Sequence, residues 1–133
     1  MRNLLVIIVV LLLTACDSDQ LETGKAKQCA ESYLNALKVN NFDDAEKYYS
    51  TDDFYSEATQ TRSEKIEELA TSIGKVISYS LTDSAFVEIK GEPSGISLTY
   101  KVENEKINST QIFIIQKEGS DYKIISQDVK AGE

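Results

Sequence analysis

Two thiols, seven phenols and 22 carboxylates are the groups in this chain that could do chemistry, and no imidazole accompanies them. Histidine is the commonest general base near neutral pH and the commonest metal ligand. Its absence makes zinc sites, Ser-His-Asp triads and Cys-His dyads unavailable, so no metal or other cofactor is expected. What remains is a carboxylate working beside a phenol, or a thiol. Asp43, Asp44, Glu46, Asp52 and Asp53 fall close together. They lack the regular ligand ladder and central glycine of a calcium loop, and read as a solvated acidic edge.

The two thiols have different settings. Cys16 closes the tetrapeptide Leu13-Thr14-Ala15-Cys16, which follows Arg2 and an unbroken apolar run over residues 4–13. Ten helical residues cover about 15 Å, half of a hydrocarbon core roughly 30 Å thick. That is the length of a secretory h-region, and small residues before the cut complete the pattern. The stretch matches a bacterial lipobox: residues 1–15 are a signal peptide, cleavage falls between Ala15 and Cys16, and the Cys16 thiol receives the lipid. An ordinary secreted signal, or an uncleaved anchor with Cys16 incidental, is the alternative. Similarity to bacterial lipoproteins implies several acyl chains at that cysteine, palmitate among them. Stable anchoring needs more than one chain, so the tether would be permanent. Asp17, directly after the cysteine, resembles the enterobacterial signal that keeps such proteins in the inner membrane, facing the periplasm.

Residues 16–24 are polar and acidic and read as the lipidated cysteine with its tether. Residues 25–133 are of a size for one domain with one core. The formal charge is −8, without the clustered Lys and Arg of a nucleic-acid binder, so nucleic acid is excluded as a partner. With Cys16 consumed by lipid, Cys29 has no partner for a disulfide, and stability must come from packing.

The remaining sequence states which elements position these groups. Ala26, Cys29, Ala30, Tyr33, Leu34 and Leu37 recur at three and four, the mark of an amphipathic helix stopped by Asn40-Asn41. Cys29 lies on that apolar stripe and reads as a buried, inert thiol. Residues 42–49 make a second helix, with Phe42, Ala45 and Tyr49 inward. Thr61 with Glu64 forms a capping box for a third, carried by Ile66, Leu69, Ala70 and Ile73 and stopped by Gly74. After Gly74 the period becomes two. Ile77, Tyr79 and Leu81 share a face, a shorter segment holds Val87 and Ile89, and Gly91-Glu92-Pro93-Ser94-Gly95 breaks the chain. Strands over 96–102, 107–117 and 122–129 follow, separated by turns at 103–106 and 118–121. The fold class is α+β: three N-terminal helices packed on a curved antiparallel sheet. Ile112-Phe113-Ile114-Ile115 is apolar on both faces, beside Ile124-Ile125 on the next strand. Either a homodimer partner or the sheet's own curvature over a core must cover the second face.

This order resembles the nuclear transport factor 2-like cone fold, and especially small bacterial lipoproteins of uncharacterised function that use it. The resemblance is carried by the helix over 26–37, Asn41-Phe42-Asp43-Asp44-Ala45, Ile73-Gly74-Lys75-Val76, the glycine-proline break, and Lys117-Glu118-Gly119 before Tyr122-Lys123-Ile124. It implies a sheet wrapped round the first helix with a pocket between them. Enzymes of that fold use a carboxylate base with a tyrosine donor; ketosteroid isomerase is the standard example. Here the candidate pocket residues are Tyr33, Leu37, Tyr48, Tyr79, Tyr100 and Asp128, and aromatics serving as core with Asp128 in solvent is the other reading. The fold hosts enzymes, binders and passive modules alike. The expected role is a non-enzymatic envelope lipoprotein that binds a protein partner or a small apolar ligand. A cone-fold isomerase or hydrolase and a structural assembly module are the alternatives. Asn108-Ser109-Thr110 matches a glycosylation acceptor but carries no meaning in a bacterial lipoprotein.

Overall fold

The three-and-four spacing from Ala26 to Leu37 produces helix α1, Thr23–Lys38, in a computed structural model that describes residues 21–50, 62–88 and 94–132. The signal, Cys16 and Asp17 lie outside the described residues. All six residues of the stripe are buried. The helix starts before the boundary read from the sequence: Thr23 and Gly24 form its first turn, and Leu21 already packs against the core. Asn40 ends it by turning left-handed (φ 55°), and the Asn41 N–H donates to the Ala36 carbonyl at 2.9 Å.

Helix α2, Phe42–Glu46, opens on a cap in which Asn41 Oδ1 accepts from the Asp44 N–H at 3.2 Å. Asp43 and Asp44 in its first turn suit the helix dipole. It is shorter than residues 42–49. Beyond Glu46 the backbone turns to pair with Ile124: Ser50 N–H donates to the Ile124 carbonyl at 2.9 Å, and Ile124 N–H to the Tyr48 carbonyl at 2.8 Å. These bonds satisfy a sheet edge that would otherwise be bare, and they replace the last helical turn.

Helix α3, Arg62–Ile73, buries Ile66 and Ile73 and packs against α2. Thr61, the expected cap, lies outside the described residues. Gly74 stops the helix at φ 90°, where a Cβ would stand 2.5 Å from the Lys106 nitrogen. Only glycine fits both the dihedral and the space. Among the described residues no helix is long and apolar enough to cross a membrane.

Four strands follow: β1 Val76–Val87, β2 Gly95–Asn104, β3 Ser109–Glu118 and β4 Asp121–Ala131, antiparallel in the order β1-β2-β3-β4. The segments around Tyr79 and Val87 are one continuous strand rather than two. A register shift between Val76 and Ser78 leaves Val76 buried and Ile77 exposed, after which Tyr79 and Leu81 turn inward. Gly119 (φ 62°) begins the tight turn between β3 and β4.

β1 shifts register again between Leu81 and Asp83, and a third shift lies between β3 and β4. Ile115 pairs with Ile124 and Ile114 with Ser126, leaving Ile125 as the surplus residue of a bulge. Gln127 then faces the helix and Asp128 faces away. The α+β class holds: α1 touches all four strands, and its stripe meets Ile96, Leu98, Tyr100, Val102, Phe113, Ile115, Tyr122 and Ile124. The four-residue apolar run splits as alternation demands. Phe113 and Ile115 are buried inward, while Ile112 and Ile114 keep partial exposure on the outer face.

Candidate functional site

Where a cone fold would hold a pocket, between α1 and the sheet, this chain places a row of rings. Tyr33 projects from α1 and meets Tyr49 edge-on at 5.5 Å between centroids and Phe113 at 5.7 Å. Phe113 meets Tyr100 at 5.9 Å, and Tyr100 meets Tyr79 at 5.9 Å, both near 79°. Edge-to-face contacts of this spacing are favourable beyond the area they bury. Tyr33, Tyr100 and Phe113 have no exposed surface, and Leu37 is buried in the same cluster. Its central rings are closed to solvent.

A chain of polar groups runs beneath the rings. The hydroxyls of Tyr33 and Tyr49 both donate to Gln127 Oε1, the former at 3.2 Å. Gln127 Nε2 donates to Gln111 Oε1 at 2.9 Å, Gln111 Nε2 to Ser109 Oγ at 3.2 Å, and Ser109 Oγ to Asn104 Oδ1 at 2.9 Å. Asn104 Nδ2 ends the chain on the Gly74 carbonyl at 3.2 Å. Buried amides of this kind stabilise only when every member is satisfied, because an orphaned one costs about 1–3 kcal/mol. The inner face is therefore a closed polar circuit linking the chain around Tyr49 to the end of α3.

The carboxylate expected in the pocket is elsewhere. Asp128 pairs with Ile112, is exposed, and sits on the opposite face from Tyr33 and Tyr100. The bulge at Ile125 sets this: it turns Gln127 inward, and Asp128 must point out. The carboxylate that does meet a phenol is Glu31 on α1, whose Oε2 accepts from the Tyr100 hydroxyl at 3.0 Å. Burial, and next the hydrogen bond to Glu31 and then its charge, push the Tyr100 pKa well above the usual phenol range. Burial likewise lifts Tyr33 to about 12, so neither phenol ionises near neutral pH. Tyr79 donates to Asn35 Oδ1 at 2.8 Å beneath the Lys38 ammonium, which lies 4.9 Å from its ring centroid. Glu31 belongs to the polar flank of the helical pattern, and nothing in the sequence separates it from Lys27 or Asn35. Gln111 and Gln127 were likewise invisible, because polar residues carry no periodic signal for the core.

Tyr48 stands apart from the ring row. It lines an open groove of about 380 Å³ with Lys25, Cys29, Lys47, Tyr122 and Lys123. Cys29 is buried behind it, its thiol 3.8 Å from the Tyr48 carbonyl, and burial pushes its pKa up to about 11. A thiolate is the reactive form, so this sulfur is inert. A second open, polar depression of about 840 Å³ lies at the other end of the sheet, bordered by Lys101, Glu103, Lys106 and Asn108.

No protein-family model and no characterised protein sequence matches this chain. Solved structures do. An NTF-2-like protein of unknown function from Shewanella oneidensis is 8% identical, covering 82% of this chain and 98% of its own, with a TM-score of 0.55. An NTF2-like protein from Cytophaga hutchinsonii is 13% identical, covering 84% of this chain and 99% of its own, also at 0.55. The fold is that of NTF2-like proteins.

Proposed function

We propose that this chain is a lipid-anchored envelope protein whose NTF2-like domain binds a protein partner, without catalysis of its own. The observation that carries the binding reading is strand β1. It is twelve residues long and forms the edge of the sheet among the described residues, with Phe86 68% and Ile77 50% exposed. Large apolar side chains on a strand with one edge free among the described residues suit acceptance of a peptide or a second strand. The closed ring row argues against a small apolar ligand held inside the cone. A carboxylate-and-tyrosine isomerase or hydrolase is the least supported reading, because Asp128 is separated from Tyr33 and Tyr100 by the sheet. A homodimer, as a structural assembly module, draws support from the partly exposed Ile112 and Ile114 on the outer face.

The anchoring reading rests on Leu13-Thr14-Ala15-Cys16 and the apolar run before it. Asp17 supports the inner membrane, facing the periplasm. Intact mass of the native product should show residues 1–15 removed and acyl chains on Cys16, and Cys16→Ser should abolish palmitate labelling. A photoreactive phenylalanine analogue at position 86 should give a discrete protein adduct in intact cells, and one at exposed Lys65 on α3 should not. An anchored, folded protein that gives no adduct from position 86 sinks the binding reading. An intact leader, or a bare thiol at position 16, sinks the anchoring reading.

A further inference from the structure

The groove beside Tyr48 brings three ammonium groups together with one lining carboxylate, Asp121, in a chain whose formal charge is −8. Lys25 comes from the first turn of α1, Lys47 from the turn after α2, and Lys123 from the start of β4, beside Tyr48 and Tyr122. Lys123 Nζ donates to the Lys47 carbonyl at 2.7 Å, and the Lys47 ammonium lies 5.5 Å from the Tyr48 ring centroid. Lys25 pairs with Glu22 at 2.9 Å and Lys47 pairs with Asp44, but the lysines of both pairs are largely exposed. Exposed pairs contribute little and exchange readily, so the ammonium groups stay available to a denser source of negative charge.

The groove also lies where the chain enters the domain. Leu21 packs against the core, and the Glu22 N–H donates to the Tyr122 hydroxyl at 2.9 Å. From Cys16 to Leu21 is five residues, at most about 17 Å of fully extended chain. A domain of this size has a radius of gyration of roughly 13 Å. At full stretch the tether is therefore comparable to the radius of the body it holds.

We propose that this groove is a membrane-docking face: Lys25, Lys47 and Lys123 engage the phosphates of anionic phospholipid headgroups while the half-buried Tyr48 sits at the interface. This rests on the lipid anchor at Cys16, which brings the groove within reach of the bilayer. Lysines near an anionic surface are attracted to it, and tyrosine rings favour the headgroup level. The acidic remainder of the domain is repelled by the same surface, which selects this orientation.

The chain contains no tryptophan, so Tyr48→Trp supplies a single reporter and Ile107→Trp supplies its control. Ile107 is exposed beyond the opposite end of β3, a strand of ten residues and about 30 Å. The full acylated protein is reconstituted into phosphatidylglycerol–phosphatidylethanolamine vesicles carrying a shallow nitroxide lipid, or into phosphatidylcholine alone. Quenching at position 48 should exceed that at 107 at least threefold on the anionic vesicles. It should fall to the level of 107 on phosphatidylcholine, in 0.5 M salt, or with Lys25→Gln, Lys47→Gln and Lys123→Gln combined. The salt titration uses the unsubstituted lysines, so it decides the matter even if the triple variant melts early. Equal quenching at the two positions overturns the proposal, as does quenching indifferent to phosphatidylglycerol. An equal emission change with inorganic phosphate, or with soluble polyglutamate, reassigns the groove to a free anion or an acidic protein and also overturns it. Flotation with position 48 unquenched removes the docking face alone, whereas failure to float removes the anchor and the docking face with it.

Discussion

On the helix-facing side of β3, Phe113 meets Tyr33 and Tyr100 edge-on and has no exposed surface. One residue to either side on the same strand, Ile112 and Ile114 keep partial exposure between Thr99 and Asp128, and between Ser97 and Ser126. The inner face is closed in two senses: its central rings are shut off from solvent, and its buried amides are bonded in series to a backbone carbonyl. On the outer face, apolar side chains alternate in register with small polar ones, and no comparable circuit forms. The difference teaches where this domain can change without unfolding. Inside, each group is held by its neighbours; outside, the apolar side chains Ile112 and Ile114 keep partial exposure.

The largest effect that would test this contrast is on packing. Phe113→Ala should destabilise by about 3–5 kcal/mol, against roughly 1 kcal/mol for Ile114→Ala, read from urea midpoints. Equal losses would show that the outer face is covered in solution by something beyond the described residues. Alkaline pH should act through the inner side. Burial raises Cys29 from 9.0 to about 11 and Tyr33 from 10.0 to about 12, so the unfolded chain releases both protons first. Stability is full below about pH 9. It falls as pH rises further, by up to about 1.4 kcal/mol per unit for each group while its window lasts, and Tyr100, raised further still, adds its own loss above about pH 10. Tyr33→Phe should flatten the upper part of that fall, and Cys29→Ala the lower.

A smaller loss is expected from the polar circuit. Gln111→Leu keeps the volume but orphans Gln127 Nε2, and should lower stability by about 1–3 kcal/mol. Asp128→Asn, on the outer face, should shift stability by less than about 0.5 kcal/mol. A large change at Asp128 would mean that the two faces communicate.

The helices were legible because periodicity survives in one dimension: Ala26, Cys29, Tyr33 and Leu37 declare α1 before any fold is known. Gly74 and Gly119 were legible as stops because few other residues tolerate their dihedrals. The bulges were not legible. A single surplus residue, Ile125, exchanges the faces of everything after it, and it looks like any other apolar strand residue. That exchange separated Asp128 from the tyrosines and brought Gln127 to them. The same reversal at Val76 and Ser78 put Ile77 in solvent. Tyr33, Leu37, Tyr79 and Tyr100 lie together on the helix-facing side of the sheet, packed in or against the core. Tyr48 went to a separate groove, because the chain left the helix early to cover the edge of β4.

Cys29 gives the sheltered side a consequence for biogenesis. Cys29 is 6% exposed and its sulfur is set beneath the Tyr48 carbonyl, so a glutathione or cysteine adduct would have to displace the groups packed on it. A chain oxidised at that atom before α1 has closed is hindered from reaching the native state until a reductant frees it. In an oxidising compartment the nascent domain would be in a race, and α1 would have to dock before a passing disulfide captures its one interior sulfur.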